Sequence, residues 1–375
     1  MSMRIAMLCH RYLPHIGGVE IVVKHLATEL ARRHEVSVIA GALPREQRVS
    51  REDSVEVHRL AALDLSDRLG MPYPLPLGPG LERALEVVRN ADVLHVHGSL
   101  YLTSAVAAAF ARRRGIPLVV TEHVGLVPYR RSVLNALQRF AWRSVGDFVA
   151  GAASALVACG DRVACWMRDR YPRARVHLVP NGVDCRRFRP LDEAERSRAR
   201  VAFGLPWNRP LALFVGRQSE KKNAKAVLEI PRDRFDLVLC GSERTVRANG
   251  VFDVGTLPYE RMAQLLGCVD FLVHAGVGEG FPLVVQESLA CGVPVVLLWD
   301  PGYAPVIDRD AVRACDTLEQ FSAAVQALSI DVDALEKLRR NSREYAERRW
   351  SWTATAAEYL RVYESAAAQP VGAPA

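Results

Sequence analysis

The chain has 375 residues, half of them hydrophobic, and a formal net charge of +7. That length exceeds what one core usually supports, so two domains are expected; no apolar run nears the ~18 residues of a membrane helix and no cleavable leader opens the chain, which predicts a soluble, cytoplasmic protein. The charge is uneven, with 24 Lys and Arg against 16 Asp and Glu in residues 1–180 but 25 against 26 in residues 181–375, so the first half suits an anionic lipid surface or a phosphorylated acceptor; without interleaved aromatics or a recognisable motif, nucleic acid is not expected as a partner.

In chain order, the hydrophobic pattern predicts a strand over residues 4–9, a helix over 19–33, strands over 35–40 and 92–97, a helix over 103–113, and strands over 117–121, 155–158 and 176–179. This alternation is a doubly wound α/β pattern. Pro180-Asn-Gly-Val-Asp184 breaks it, after which strands are expected over 211–215, 235–240, 271–274 and 293–297 with helices between them. Helical segments over 332–350 and 353–368 close the chain, the last carrying Tyr359, Leu360, Val362 and Tyr363 as an apolar face, ahead of a tail at 369–375. The eight cysteines include no C-x-x-C pair and read as small core residues in a reducing compartment.

Parallel sheets bind ligands outside the carboxyl ends of their strands, and the residues there are chemically suggestive. Gly17 and Gly18 in Tyr12-Leu-Pro-His-Ile-Gly-Gly-Val-Glu20 lie between the first strand and its helix. Their bare amides either meet phosphate oxygens or serve a tight turn, and the stretch is not the G-x-G-x-x-G of dinucleotide dehydrogenases. His95 and His97 share one strand face without a third ligand at metal spacing, so they read as strand-end polar contacts and no metal is expected. Thr121, Glu122 and His123 follow the next strand, where His123 can bond a sugar hydroxyl or an acceptor. The segment Tyr129 to Arg143 reads as an amphipathic helix with Val133, Leu137 and Phe140 on one side. It suits either an anionic membrane surface or packing on its own sheet with the arginines in water.

In the second half, Gly216 and Arg217 end a strand and Lys222 follows five residues later, two cations able to offset a diphosphate or simply to be solvated. Glu279-Gly-Phe-Pro-Leu-Val-Val-Gln-Glu287 places one carboxylate in a loop and another inside a helix. Gly278 and Gly280 let the backbone approach a ligand, and the amides around Phe281, Pro282 and Leu283 point out of a positively polarised helix start, with Pro282 in the first turn. Glu287, deeper, can accept from a vicinal diol.

These segments, in this order and followed by Cys291-Gly-Val-Pro-Val-Val, resemble the retaining glycosyltransferases of family 4 over most of the chain. The resemblance implies the two-domain GT-B fold: Rossmann-like domains facing across a cleft, an acceptor domain over residues 1–182 joined by a returning C-terminal helix at about 351–368, and a nucleotide-sugar domain over 183–350. It implies that Arg217 and Lys222 bind the donor diphosphate, that Gly18 assists, that Glu287 holds the ribose, that Glu279 meets the donor sugar and that His123 lines the sugar and acceptor site. Gly17, Gly216, Gly280, Phe281, Pro282 and Leu283 complete the donor side, and His97, Thr121 and Glu122 the acceptor side.

The implied reaction moves a sugar from a nucleoside diphosphate to an acceptor hydroxyl with retention and without a metal cofactor. Cell-surface polysaccharide or glycolipid synthesis at the inner membrane face is the expected setting. A soluble natural-product acceptor and a non-catalytic sugar-nucleotide-binding protein are the alternatives, and a synthase or phosphorylase is a rival on the same fold. Two stretches depart from the family pattern: Asn223 follows Lys222 with only about a dozen residues before the next strand, and Cys240-Gly-Ser-Glu-Arg244 replaces a longer glycine-rich loop. The nucleobase contacts are expected from the backbone near residues 255–258.

Overall fold

The computed structural model describes residues 2–15, 18–42, 48–63, 75–76, 81–125, 132–216, 222–241, 246, 248–276 and 281–368. The chain divides into two compact units, Met1–Gly182 with Trp352–Ala375, and Val183–Ser351. Val183 makes a bridge to Ser351, which lies in the second unit, and the final helix starts at Trp352, one residue before the start that the hydrophobic pattern predicts.

The first unit is built on β1 (Arg4–Leu8), β2 (Glu35–Ala42), β3 (Val49–Glu52), β4 (Val55–Leu63), β5 (Leu75–Pro76), β6 (Val93–His97), β7 (Leu118–Glu122), β8 (Ala155–Ala158) and β9 (Val176–Leu178). They run β3-β4-β2-β1-β6-β7-β8-β9, with β5 against β4. Only the β3–β4 and β4–β5 pairings are antiparallel. The strands β6, β7 and β8 are buried at every residue, because helices cover both faces of a parallel sheet. Those helices are α1 (Gly18–Leu30), α2 (Leu81–Asn90), α3 (Leu102–Arg114), α4 (Ser132–Ala141), α5 (Asp147–Ala152) and α6 (Asp161–Arg170), with a π-turn at Trp142–Gly146 between α4 and α5.

The second unit holds β10 (Leu211–Val215), β11 (Asp236–Cys240), β12 (Val251–Asp253), β13 (Phe271–His274), β14 (Val295–Leu298) and β15 (Arg313–Cys315), all parallel, in the order β12-β11-β10-β13-β14-β15. Its helices are α7 (Glu193–Ala202), α8 (Ala224–Leu228), α9 (Tyr259–Cys268), α10 (Leu283–Ala290), α11 (Leu318–Leu328) and α12 (Val332–Trp350). At the entry to β13, Asp270 accepts from Arg196 (2.5 Å), Arg200 (2.9 Å), Arg339 (3.1 Å) and the Leu211 amide (2.8 Å). Burial pushes its pKa up, but the guanidiniums and the amide outweigh that and the net shift is downward. One carboxylate thereby ties α7, α12, β10 and β13 together.

The last helix, α13 (Trp352–Ala367), returns to the first unit. Trp352 stacks on His25 of α1 at 5.3 Å, and Tyr359, Val362, Tyr363 and Ala366 join the core formed by α1 and the first sheet. Each fully buried ring contributes roughly 2 kcal/mol of transfer free energy.

The doubly wound pattern and the helical return agree with the sequence; several boundaries do not. The first helix stops at Leu30 because Ala31–Arg33 form a turn, and Pro282 precedes α10 with φ −71° and ψ 127° instead of sitting in its first turn. The strands β3, β4, β5, β12 and β15 and the helix α2 escape the pattern. In β4 the reason is visible: His58 and Arg59 are buried, and the Arg59 guanidinium donates to Ser50 Oγ, the Leu13 carbonyl and Glu52, each at 2.7 Å. Local periodicity cannot reveal such partners.

Gly182 marks how tightly α13 is seated: a Cβ there stands 2.5 Å from Trp352 Cδ2, whereas one on Gly151 in α5 meets nothing within 4 Å. Gly182→Ala is expected to lower stability by about 1–3 kcal/mol in denaturant unfolding, and Gly151→Ala to leave it unchanged or slightly raised.

Candidate functional site

In the first unit the site grows from the carboxyl ends of β1, β6, β7 and β8. Gly98, just past β6, has φ +90°, and a Cβ there falls 2.2 Å from the Tyr101 ring, so only glycine lets the chain turn beneath that aromatic. The turn brings Ser99 to Glu122, whose Oε2 accepts from the Ser99 amide at 3.0 Å and its hydroxyl at 2.9 Å. Burial raises the Glu122 carboxyl to about 7 against these donors. Glu122 therefore shapes the loop after β6 from within.

His123 has both ring nitrogens engaged, Nε2 with His97 Nδ1 at 3.0 Å and Nδ1 with Cys159 Sγ at 3.4 Å. Thr121 lies beneath the surface, its hydroxyl 2.7 Å from His95 Nε2 and 3.2 Å from the Tyr359 hydroxyl, so its role is supporting and not one of substrate contact. His97, Ser99, Tyr101, Glu122, His123 and Trp142 line part of a cavity of about 100 Å³. Gly18 opens α1 with free space where a Cβ would stand and without positive φ, so a tight turn does not account for it; Gly17 lies outside the described residues.

Two groups here escape the motif reading. His10, directly after β1, stacks on Tyr101 with centroids 4.4 Å apart, and its Nε2 is 3.5 Å from Glu20 Oε1 in the first turn of α1. Burial, then Arg11 and His15, lowers the His10 pKa to about 4, and burial raises that of Glu20. The strand-end rule that singles out His123 also reaches His10 and Cys159, which follow β1 and β8.

In the second unit, Gly216 ends β10 at φ +144°, and a Cβ on it stands 3.2 Å from Lys222 Cε. A Cβ on Gly276, beyond β13, stands 2.9 Å from His274 Nε2 and 3.5 Å from Lys222 Cδ. The Lys222 stem thus runs between two glycines at adjacent strand ends, and Gly276 is a further feature the motifs did not single out. Gly241, beyond β11, has φ +91°, and a Cβ on it would stand 3.4 Å from the Gly216 backbone. Burial, then Lys222, holds His274 down at about 3. Arg217, Glu279 and Gly280 lie outside the described residues.

Phe281 packs edge-on to Tyr303 at 5.6 Å and tilted against Trp350 at 5.3 Å, fixing the approach to α10. Leu283 begins that helix, whose N-terminus carries no side-chain cap. Glu287 is buried on α10 beside Tyr259, the first residue of α9, with Arg187 5.5 Å over the Tyr259 ring. Burial raises Glu287 to about 7, opposed by Tyr259 and Arg187. Tyr259 has no local signal in the sequence, since only the packing of α9 on α10 brings it to Glu287. Gly255, at φ +68°, accepts from the Gly241 amide at 2.8 Å, placing the loop between β12 and α9 beside the end of β11.

Comparison with known proteins follows this layout. Residues 16–187 match the family described as Glycosyltransferase Family 4, and residues 195–349 that described as Glycosyl transferases group 1. The GDP-mannose-dependent alpha-mannosyltransferase of Mycolicibacterium smegmatis is 30% identical over 347 residues, covering 89% of this chain and 86% of its own. Among solved structures, the sucrose-phosphate synthase of Thermosynechococcus elongatus superposes with a TM-score of 0.72 at 20% identity, over 96% of this chain and 98% of that one. Anabaena HepE in complex with UDP-glucose gives 0.71 at 18% identity, over 97% and 100%. The two family matches in tandem, the long alignment to the M. smegmatis enzyme and the shared architecture show that the chain belongs to the family 4 glycosyltransferases, with the GT-B fold.

Proposed function

We propose that the chain is a retaining glycosyltransferase that moves a sugar from a nucleoside-diphosphate sugar to an acceptor hydroxyl without a metal cofactor. The observation that carries this reading is the second-unit site, where Lys222 passes between Gly216 and Gly276 at the strand ends while Glu287 waits, buried, on α10. The M. smegmatis relative is named for GDP-mannose and HepE was solved with UDP-glucose, so the shared donor class is a nucleoside-diphosphate sugar and the base is left open.

In the proposed reaction the bond from the anomeric carbon to the diphosphate oxygen breaks, and the acceptor oxygen bonds to that carbon on the same face. The acceptor proton passes to the departing diphosphate. Negative charge grows on the diphosphate oxygens, and Lys222, with Arg217, stabilises it more in the transition state than in the ground state. Glu279 orients the donor sugar, the ionised Glu287 accepts from the ribose hydroxyls, and the bare amides at Gly18 and at the start of α10 add donors to the phosphates.

The acceptor proposed is a lipid-linked saccharide of cell-surface glycan or glycolipid synthesis, with the first unit resting on an anionic membrane. Val133, Leu137 and Phe140 of α4 are 74%, 45% and 69% exposed, so this face is not packed on the sheet. Arg139 and Arg143 stand exposed beside it. An apolar ridge bordered by guanidiniums has the chemistry of an interfacial helix. Among the described residues no helix is long and apolar enough to cross a membrane.

Lys222→Ala is expected to cut kcat by about 10²–10³ with the melting temperature little changed, as read from initial rates with whichever UDP-, GDP- or dTDP-sugar raises the wild-type melting temperature. Wild-type turnover in that variant would remove Lys222 from the site. Because Glu287 must lose its proton to accept from two hydroxyls, donor KM is expected to fall as pH rises through about 7, and Glu287→Gln to abolish that dependence. Phe140→Ser is expected to weaken co-sedimentation with phosphatidylglycerol vesicles at low salt, and equal binding by both proteins would rule out the α4 ridge.

A further inference from the structure

Two buried ring nitrogens without a hydrogen-bond partner among the described residues, Trp142 Nε1 and His97 Nε2, belong to residues that line the same cavity at the strand ends of the first unit. The His97 ring is tied by its other nitrogen to His123 at 3.0 Å. Trp142 has no second polar atom and is held by packing. It is 2% exposed, meets Trp166 edge-on with centroids 4.5 Å apart, and needs glycine at position 146, where a Cβ would collide with the indole ring. It also opens the π-turn that follows α4, a departure from regular helix of the kind that recurs at functional sites. An indole N–H can only donate, and a buried donor left unpaired costs free energy that a bound oxygen atom recovers.

The charge of the cavity narrows the ligand. Among the described residues that line it there is no lysine or arginine, and Glu122 is present. Burial keeps both imidazoles neutral, lowering His123 to about 4 and His97 well below its ordinary value. A phosphate placed here would face Glu122 and no cation. A sugar hydroxyl is neutral and can both accept and donate, so it can meet the indole N–H and the His97 nitrogen without burying an unpaired charge. The same stretch of chain keeps its cations elsewhere: Gln138 and Trp142, four residues apart, line the cavity, while Arg139 and Arg143 are exposed.

We infer that Trp142 is a specificity-determining residue for the acceptor: its indole N–H donates to an uncharged hydroxyl oxygen of a saccharide or cyclic polyol seated in this cavity, and a phosphate at that position is excluded. For a lipid-linked saccharide, the sugar end enters the cavity and the phosphate of the lipid end stays outside it. The inference rests on the glycosyltransferase reading, which it deepens by naming the chemistry of the acceptor. The indole hydrogen bond itself can be measured without turnover.

The test uses the full chain labelled with 15N-tryptophan, in which each indole N–H gives one signal and Trp142→Phe identifies that of Trp142. The probes are methyl α-mannoside, methyl α-glucoside, methyl α-galactoside and myo-inositol, each beside its monophosphate. At least one uncharged probe is expected to shift the Trp142 signal of the wild type saturably, and its phosphate to leave the signal in place. Gly146→Ala, which displaces the ring, is expected to weaken that binding. With the shifting sugar as acceptor, Trp142→Phe is expected to raise acceptor KM about 3–10-fold at unchanged donor KM, the loss of one hydrogen bond. A Trp142 signal that no probe moves, or that a phosphate moves as strongly, overturns the proposal, as does an unchanged acceptor KM in Trp142→Phe. A saturable shift without transfer from any UDP-, GDP- or dTDP-sugar would instead refute the glycosyltransferase reading and leave the saccharide site standing.

Discussion

The return of α13 to the first sheet is the constraint on which the first unit depends. Trp352 closes over Gly182 with no space for a methyl group, and Tyr359 and Tyr363 fill the layer between α1 and the strands. A core that needs residues 352–367 to be complete ties the end of the chain to its beginning. The same two tyrosines deliver hydroxyls to the sheet interior, so the packing that stabilises the unit also places polar groups directly beneath the strand-end histidines.

The second unit solves a parallel problem with charge. Asp270 gathers three guanidiniums and an amide at the entry to β13, fixing the helices α7 and α12 against the sheet. The opposite ends of these strands are thereby free to be built from glycine. Gly216 and Gly276 leave the room through which the Lys222 stem passes, and a Cβ on either, or on Gly241, meets lysine, histidine or backbone atoms within 3.4 Å. Rigid anchoring at one strand end and bare backbone at the other are complementary needs of the diphosphate site we propose.

Two of the site carboxylates share one electrostatic condition. Glu122 ends β7 and Glu287 sits on α10, each buried, each raised to about 7 by desolvation and each beside one hydroxyl-bearing side chain, Ser99 or Tyr259. Their uses differ because their surroundings differ. Glu122 takes both an amide and a hydroxyl from Ser99 and so serves the loop, whereas Glu287 has the Tyr259 phenol and a nearby guanidinium beside it, the setting of the ribose contact we propose.

The sequence by itself determined the doubly wound pattern, the break at residues 180–184, the helical return and the order of the motifs that place the chain in its family. These are carried by hydrophobic period, by glycine and proline, and by short spacings, all of which are local. Tertiary structure decided that Thr121 is interior, that Pro282 stands before its helix, that the ridge of α4 is exposed, and that His10, Tyr259, Gly276 and Cys159 belong beside the named residues. Each of those facts depends on a partner far away in the chain, such as Tyr359, 238 positions beyond Thr121. A pattern read along the chain has no term for contacts of that kind; they exist only once sheets and helices have packed.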